Sequence, residues 1–222
     1  MPGARAAGIA GLYAVTPDIA DTALLVRKVD AAIRGGATVV QYRNKRADAA
    51  LRLAQAGALA RLPAMRDARL IVNDDAAVAA AVGADGVHLG EHSFPVDVAR
   101  VVLPAATIGA SVHEVTDAAT STADFVFFGP VFATPSKASF GDPQGTARLA
   151  DAVRAAAAPV LAIGGITAAN ARVLFDAGAD AVAVIADLFG HDSDEAIVRA
   201  AAAIVAENPA RSTKSEQHMG TR

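Results

Sequence analysis

Two cations and an amide stand at alternate positions in the segment Gln41-Tyr42-Arg43-Asn44-Lys45, directly after an apolar run. Side chains alternate faces along a β-strand, so Gln41, Arg43 and Lys45 would share one side. An Arg guanidinium binds phosphate oxygens through paired hydrogen bonds, and Lys adds a compact positive charge. The spacing therefore predicts a clamp for a diphosphate, although a solvated rim where the chain leaves a strand explains the same composition equally well.

Adjacent acids follow the next apolar run, in the sequence Asn73-Asp74-Asp75. Asp75 precedes Ala76 and a helical pattern, which favours a role in capping the helix N-terminus. Asp74 is then available for chemistry. A carboxylate facing a cationic clamp indicates Mg2+, because this ion binds one or two carboxylates together with the phosphate oxygens of a substrate.

A glycine pair, Gly164-Gly165, separates the apolar run Val160–Ile163 from a helical segment over 170–177. Glycines let a ligand approach the backbone closely, and the free amides of a first helical turn favour an anion such as a phosphate. A tight strand-to-helix turn without any ligand is the other interpretation of the same pair.

The loop over 129–145 carries two hydroxyls and an ammonium within four residues, at Thr134, Ser136 and Lys137. This composition suits a lid that grips a phosphate as it closes. Polar surface loops often have the same composition, so both interpretations stay open.

These residues need a scaffold, and the sequence indicates one in which short apolar strands alternate with helices. The predicted strands cover residues 12–16, 39–42, 70–72, 87–89, 108–111, 125–128, 160–163 and 181–185. Such alternation without hairpins predicts parallel pairing, and eight units predict a single-domain α/β fold, the (β/α)8 TIM barrel, over residues 1–206. An open doubly wound sheet ranks second, because no Gly-x-Gly-x-x-Gly follows the first strand. Residues 207–222 are polar and are predicted to form a disordered tail.

Composition narrows the function classes. The chain has 222 residues, a net charge of -3 and scattered basic residues, which argues against a nucleic-acid partner. It has no cysteine, which excludes thiol catalysis and fits a cytoplasmic location. No apolar run approaches the roughly 18 residues of a membrane span, so we expect no membrane partner. Whether the protein forms a homo-oligomer is left open.

The motifs, taken in order, resemble those of the thiamine phosphate synthase family over residues 12–189. The matching segments are Gln-x-Arg-x-Lys at 41–45, Asn-Asp-Asp at 73–75, Val-His-Leu-Gly at 87–90, Gly-Pro-Val-Phe at 129–132 with the hydroxyl-rich segment and lysine after it, and Ile-Gly-Gly-Ile at 163–166. The resemblance implies an enzyme that joins hydroxymethylpyrimidine diphosphate to hydroxyethylthiazole phosphate. Its products would be thiamine phosphate and pyrophosphate, and its cofactor would be Mg2+.

The resemblance also implies roles for individual residues. The pyrimidine diphosphate would be held by Gln41, Arg43, Lys45, Asn73 and Lys137, with Ser111 nearby. The thiazole phosphate would be held by Thr134, Ser136, Gly165 and the backbone around Ile185 and Ala186. Tyr42, Asn44 and Pro135 lie within the same motifs and are assigned to substrate binding with them. Arg43, Lys45 and Lys137 would act as catalytic cations, and Asp74 would bind the metal.

Departures from the family pattern concern the metal and the acceptor. The family usually places a second magnesium carboxylate where this chain has Ser93, which is a poor substitute unless Glu91 reaches inward. A serine is common in the family at the position of Ala186.

A sister family of thiazole tautomerases provides an alternative function. Its Ser-Phe and Ser-Val-His segments resemble Ser93-Phe94 and Ser111-Val112-His113. It places a catalytic histidine where this chain has Pro130, however, and it usually lacks the acid of the Asn-Asp-Asp motif. A non-catalytic protein that binds thiamine precursors is a third possibility.

Overall fold

The computed structural model describes residues 9–134 and 142–209, and in it eight parallel strands close into a barrel in chain order. The strands are β1 Gly11–Val15, β2 Ala37–Tyr42, β3 Arg69–Asn73, β4 Gly86–Leu89, β5 Thr107–Val112, β6 Phe125–Phe128, β7 Val160–Ile163 and β8 Ala181–Val184. The last strand pairs with the first, with Gly11 opposite Ala181. The (β/α)8 prediction is therefore confirmed, and the open-sheet alternative is wrong.

Helices surround the barrel. They are α1 Thr22–Arg34, α2 Ala49–Ala60, α3 Ala76–Val82, α4 Val96–Val102, α5 Val115–Thr120, α6 Gly145–Ala155, α7 Ala168–Asp176, α8 Ala186–Phe189 and α9 Asp194–Ala206, with a 3-10 turn at Pro63–Asp67. The short helix α8 was not predicted, because four residues do not develop a helical period. Helix α2 begins at Ala49, because Asp48 accepts a hydrogen bond of 2.8 Å from Leu51 N and caps it.

The core has two layers. Most of it lies between strands and helices, while a smaller cluster fills the barrel interior below the mouth. In that inner cluster Tyr13, Phe125 and Phe127 pack together, and the ring centroids of Tyr13 and Phe127 are 4.9 Å apart. The interior is thus a packed floor on which a ligand at the strand ends would rest.

Three carboxylates close the opposite end of the barrel. Asp85, Asp124 and Asp180 each precede a strand and accept a hydrogen bond of 2.8–2.9 Å from the backbone N of a residue on the preceding strand. Two of them end a Gly-Ala-Asp sequence, which therefore marks a repeated structural element at the bottom of the barrel. These acids stabilise the fold and lie far from the strand ends where chemistry is expected.

Helix α9 ends at Ala206, where the barrel was predicted to end. Residues 210–222, which make up most of the predicted tail, lie outside the described residues. Within residues 9–134 and 142–209, every helix is too short or too polar to cross a membrane.

Candidate active site

A cavity of about 730 Å3 opens at the carboxyl ends of the strands. Its polar wall comes from the ends of β2, β3, β4 and β5, and its apolar floor includes Val15, Phe127, Ile163 and Ile185. Nine of the predicted site residues line this cavity: Gln41, Arg43, Lys45, Asn73, Asp74, Glu91, Ser93, Ser111 and Ile185. The fold therefore brings together residues that are far apart in the sequence.

A relay of hydrogen bonds crosses the polar wall. Tyr13 Oη donates to Gln41 Oε1 at 3.0 Å, Gln41 Nε2 donates to Asn73 Oδ1 at 2.6 Å, and Asn73 Nδ2 donates to Asp74 Oδ2 at 2.6 Å. Burial raises the pKa of Tyr13 well above its ordinary value, so the phenol stays protonated and acts as the donor. The tyrosine proton therefore sets the direction of the relay, which ends on the carboxylate of Asp74.

Asp74 is held firmly by its surroundings. Its backbone adopts a left-handed conformation with φ 60°, and its N–H donates to His88 O at 2.8 Å. Its Oδ1 accepts hydrogen bonds from Gly90 N, at 2.8 Å, and from the hydroxyl of Ser93. A positive φ is uncommon outside glycine and costs backbone energy, which these contacts offset. The result is a fixed carboxylate at the edge of the cavity.

Asp75 has the structural role that the sequence predicted. Its Oδ1 accepts from Val78 N at 3.0 Å and caps α3, and its Oδ2 accepts from Arg52 at 3.0 Å. Of the two adjacent acids, only Asp74 lines the cavity at the carboxyl ends of the strands.

Arg43 and Lys45 share their side of the mouth with Asp18, a residue that the sequence analysis missed. Asp18 Oδ1 accepts from Lys45 N at 2.8 Å and from Arg43 Nη1 at 3.3 Å. The hydroxyl of Thr16 brackets the backbone of Arg43, accepting from its N–H at 2.8 Å and donating to its carbonyl at 3.0 Å. The only sequence signal for Asp18 is its position just after the end of β1.

Tyr42 and Asn44 are absent from the lining of this cavity, and their assignment to substrate binding stays a prediction. Their side chains point toward helix α2, where Tyr42 Oη and Asn44 Nδ2 donate to Gln55 Oε1 at 2.9 and 3.1 Å. The reason is strand alternation: if Gln41 and Arg43 face the mouth, Tyr42 and Asn44 face the helices. Both line a neighbouring cavity of about 450 Å3, whose wall also includes Arg43, Lys45, Asn73 and Asp74.

The ends of β4 and β5 bring two histidines to the same cavity. His88 is buried and its Nε2 lies 2.9 Å from Ser111 Oγ, while its ring packs on Phe127 with centroids 4.1 Å apart. His113 Nδ1 donates to Gly129 O at 2.7 Å, and its Nε2 lies 3.7 Å from Glu91 Oε2. Glu91 therefore lies beside His113, whereas Ser93 contacts Asp74.

The glycine pair is required by the protein's own packing. Gly164 and Gly165 have φ of 102° and 66°, and a Cβ on Gly165 would lie 2.5 Å from Ala133 O. The amides at the start of α7 are used within the protein, since Thr167 N donates to Asn170 Oδ1 at 2.8 Å and Ala168 N to Asp187 Oδ2 at 3.3 Å. The expectation that the first turn of α7 supplies free amides for a phosphate is therefore wrong for these two donors.

The lid residues are only partly described. Thr134 is half-buried at the end of the described segment, and Pro135, Ser136 and Lys137 lie outside the described residues. Ala186 is exposed at the first position of α8, next to Ile185.

Fold and site together define a (β/α)8 barrel whose mouth combines cations, a fixed carboxylate and a polar relay, an arrangement suited to phosphorylated ligands. Residues 12–188 match the family model described as thiamine monophosphate synthase. The chain belongs to this family.

Relatives and a solved structure agree with this membership. The chain is 47% identical over 198 residues to a thiamine-phosphate synthase of Thiobacillus denitrificans, covering 87% of this chain and 92% of the relative. It is 46% identical over 187 residues to a thiamine-phosphate synthase of an Azoarcus species, covering 82% and 90%. A solved thiamine phosphate pyrophosphorylase from Pyrococcus furiosus superposes with a TM-score of 0.80 at 34% identity, covering 91% of this chain and 98% of the other.

Proposed function

We propose that this protein joins hydroxymethylpyrimidine diphosphate to hydroxyethylthiazole phosphate and releases thiamine phosphate and pyrophosphate. Family membership and the names of the relatives support this reaction. The structural observation that carries it is the position of Asp74 and its relay in the same cavity wall as Arg43 and Lys45. A bound diphosphate is stabilised by cationic side chains and by polar groups that form hydrogen bonds, and one wall of the mouth supplies both kinds of group.

The donor diphosphate would occupy the β2 and β3 side of the mouth. Arg43 and Lys45 would bind its oxygens, and the amides of Gln41 and Asn73 would support the same end. Asp18 already contacts Arg43, so the carboxylate would compete with the ligand for that guanidinium. Lys137 would approach from the lid, in keeping with the family motif.

The donors beside this clamp suit Mg2+, which prefers oxygen ligands. Asp74 would supply a carboxylate and Ser93 a hydroxyl, and the substrate would supply phosphate oxygens. Among the described residues, no group of three His, Asp or Glu side chains could hold a metal without the substrate. When bound, Mg2+ would neutralise charge on the diphosphate and so favour its departure.

The acceptor would occupy the opposite side of the mouth, at the ends of β7 and β8. Gly165 and the backbone around Ile185 and Ala186 would hold its phosphate, with Thr134 and Ser136 from the lid. Helix α8 has a fixed position there, because Lys28 Nζ donates to Phe189 O at 2.8 Å and to His191 O at 2.7 Å at its C-terminal end. The positive charge of Lys28 at that end also complements the helix dipole.

The chemistry is the one that the family resemblance implies, and the divided mouth can accommodate it. The bond between the pyrimidine methylene carbon and the diphosphate oxygen breaks, and both electrons leave with pyrophosphate. The thiazole nitrogen then supplies an electron pair to that carbon and forms the new C–N bond. The protein's contribution is electrostatic: Arg43, Lys45 and Lys137 stabilise the negative charge that develops on the leaving group. The apolar floor would keep water away from the positively charged pyrimidine that forms when this bond breaks.

Product analysis tests this proposal against the tautomerase alternative. We expect thiamine phosphate and an equal amount of pyrophosphate from the purified protein with both precursors and Mg2+. We expect the thiazole carboxylate phosphate, supplied alone, to stay unchanged. Isomerisation of that compound, without any product from the two precursors, would contradict the proposal. Binding of the precursors without turnover would instead support a non-catalytic binding protein.

A further inference from the structure

One polar side chain is completely buried outside the mouth, in the layer between the barrel and its helices. Gln55 lies on helix α2 with a relative exposure of 0%. A buried amide without hydrogen-bond partners destabilises a fold, so a glutamine in this layer needs a full set of contacts.

Gln55 has such a set, and its partners come from two different loops. Its Oε1 accepts from Tyr42 Oη and from Asn44 Nδ2, at the end of β2 and just beyond it. Its Nε2 donates to Ile19 O at 2.8 Å and to Ala20 O at 3.3 Å, in the loop that follows β1. Asn44 Nδ2 also donates to Ile19 O, at 2.9 Å, and so strengthens the same junction.

The partners determine the orientation of the amide. Ile19 and Ala20 contribute carbonyl oxygens, which can only accept, so the Gln55 nitrogen must face them. Tyr42 contributes a phenol whose pKa is raised to about 12 by burial, so it remains a donor. The amide satisfies both loops because its nitrogen supplies two donors and its oxygen accepts two hydrogen bonds.

The junction lies directly beneath the donor clamp. Asp18, one residue before Ile19, accepts from Lys45 N at 2.8 Å and from Arg43 Nη1 at 3.3 Å. Asn44, which stands between the two cations in the sequence, contacts Gln55 directly. Movement of either loop relative to the other would therefore change the separation between the cations and the rest of the mouth.

We propose that Gln55 is a positioning residue that joins the loops after β1 and β2 and so holds Arg43 and Lys45 in the geometry that binds the donor diphosphate. This inference rests on the proposed function for the identity of the substrate. Gln55 itself does not touch substrate. In this it differs from the structural acids Asp85, Asp124 and Asp180 at the bottom of the barrel, whose loss would not favour one substrate over the other.

The test compares Gln55→Glu with the wild-type protein. The substitution keeps the length of the side chain and its acceptor for Tyr42 and Asn44. The Gln55 nitrogen donates to both Ile19 O and Ala20 O, whereas a protonated Glu has one donor and a carboxylate has none. Leu149→Ala is the matched control, because Leu149 is fully buried on α6, on another side of the barrel. It lowers stability by creating a cavity without touching either loop.

Two measurements are made on each protein. Calorimetric titration with inorganic pyrophosphate and Mg2+ should show affinity weakened about tenfold in Gln55→Glu, as for the loss of other supporting contacts, and unchanged in Leu149→Ala. Steady-state kinetics should show the KM for the pyrimidine diphosphate rising by about the same factor, with the KM for the thiazole phosphate within about twofold.

Equal pyrophosphate affinity in Gln55→Glu and the wild type, or an equal rise in both KM values, would overturn the positioning role of Gln55. If Gln55→Glu does not fold, Gln55→Met, which has similar length and no charge, is titrated instead with the same expectation. A wild-type protein that binds pyrophosphate but makes no thiamine phosphate would contradict the proposed function alone. A wild-type protein that does not bind pyrophosphate would overturn both.

Discussion

Gln41 and Asn73 are joined across neighbouring strands by a hydrogen bond of 2.6 Å from Nε2 to Oδ1. The contact links the strand that carries the cations to the strand that carries Asp74. Because Tyr13 donates to the other end of the Gln41 amide, both ends of this amide are used. The position of Asp74 therefore depends on three uncharged side chains, those of Tyr13, Gln41 and Asn73.

Replacing Gln41 with Glu tests the direction of this relay. The carboxylate would accept from Tyr13 but could not donate to Asn73, so the amide of Asn73 would lose its fixed orientation toward Asp74. A hydrogen bond that supports a charged group is worth about 1.5–3 kcal/mol, so kcat/KM should fall by about 10- to 100-fold. Tyr13→Phe, which removes only the first bond of the relay, is the control and should cost less. Equal loss in both variants would show that the relay has no direction.

Ser93→Asp tests whether Asp74 and residue 93 form the Mg2+ site. It places a second carboxylate beside Asp74 Oδ1, which in the wild type accepts a hydrogen bond from the Ser93 hydroxyl. Without metal, the like charges should lower thermal stability, and Mg2+ should restore it. We expect a higher apparent Mg2+ affinity and a larger Mg2+-induced rise in Tm than in the wild type. Ser93→Ala, which adds no charge, should show no such rise. An unchanged metal titration in Ser93→Asp would indicate that another group already fills this role.

Asp18→Asn tests whether the Asp18 carboxylate competes with a diphosphate for the Arg43 guanidinium. The amide oxygen of Asn keeps an acceptor for Lys45 N, while the negative charge beside Arg43 is lost. Partly exposed ion pairs are worth at most about 1 kcal/mol, so pyrophosphate should bind about two- to fivefold more tightly. Product-inhibition kinetics measure this directly. Weaker pyrophosphate inhibition would mean that Asp18 serves mainly to orient Arg43.

The two tyrosines predict a specific alkaline response. Burial raises the pKa of Tyr42 from 10.0 to about 12 and that of Tyr13 well above 10.0. Between these values the unfolded chain loses protons that the folded chain keeps, so the free energy of unfolding should fall as pH rises from 10 toward 12. The chain has two Tyr and no Trp, which lets tyrosinate absorbance report both residues. Tyr42→Phe should reduce the slope. Reversible ionisation of both tyrosines near pH 10 in the folded state would contradict this prediction.

The sequence predicts the barrel well because its strands are apolar, parallel and regularly spaced. It also predicts that Gln41 and Arg43 share a face, since that follows from local alternation. The same alternation excludes the side chains of Tyr42 and Asn44 from the mouth, whereas a contiguous motif includes them. Motifs therefore identify segments, and the strand period decides which members of a segment face a ligand.

Other features depend on contacts between distant segments and have no local signal. Asp18 meets Arg43 across 25 residues, and Gln55 meets Ile19 across 36. The left-handed conformation of Asp74 is stabilised by Gly90 and Ser93 from the next loop. Helix α8 is too short to show a period. These features appear only when the barrel brings the loops together.

Initial rates of pyrophosphate release test whether the mouth is divided into a donor side and an acceptor side. The rates are measured with each substrate varied in turn for the wild type, Lys45→Gln and Ala186→Asp. Both substituted residues are exposed, and an acid is tolerated at a helix N-terminus, so both variants should fold. We expect Lys45→Gln to raise the donor KM by about tenfold and Ala186→Asp to raise the acceptor KM similarly, with the other KM within about twofold. Equal effects on both KM values in each variant would contradict this division, and no pyrophosphate release by the wild type at any Mg2+ concentration would contradict the proposed reaction.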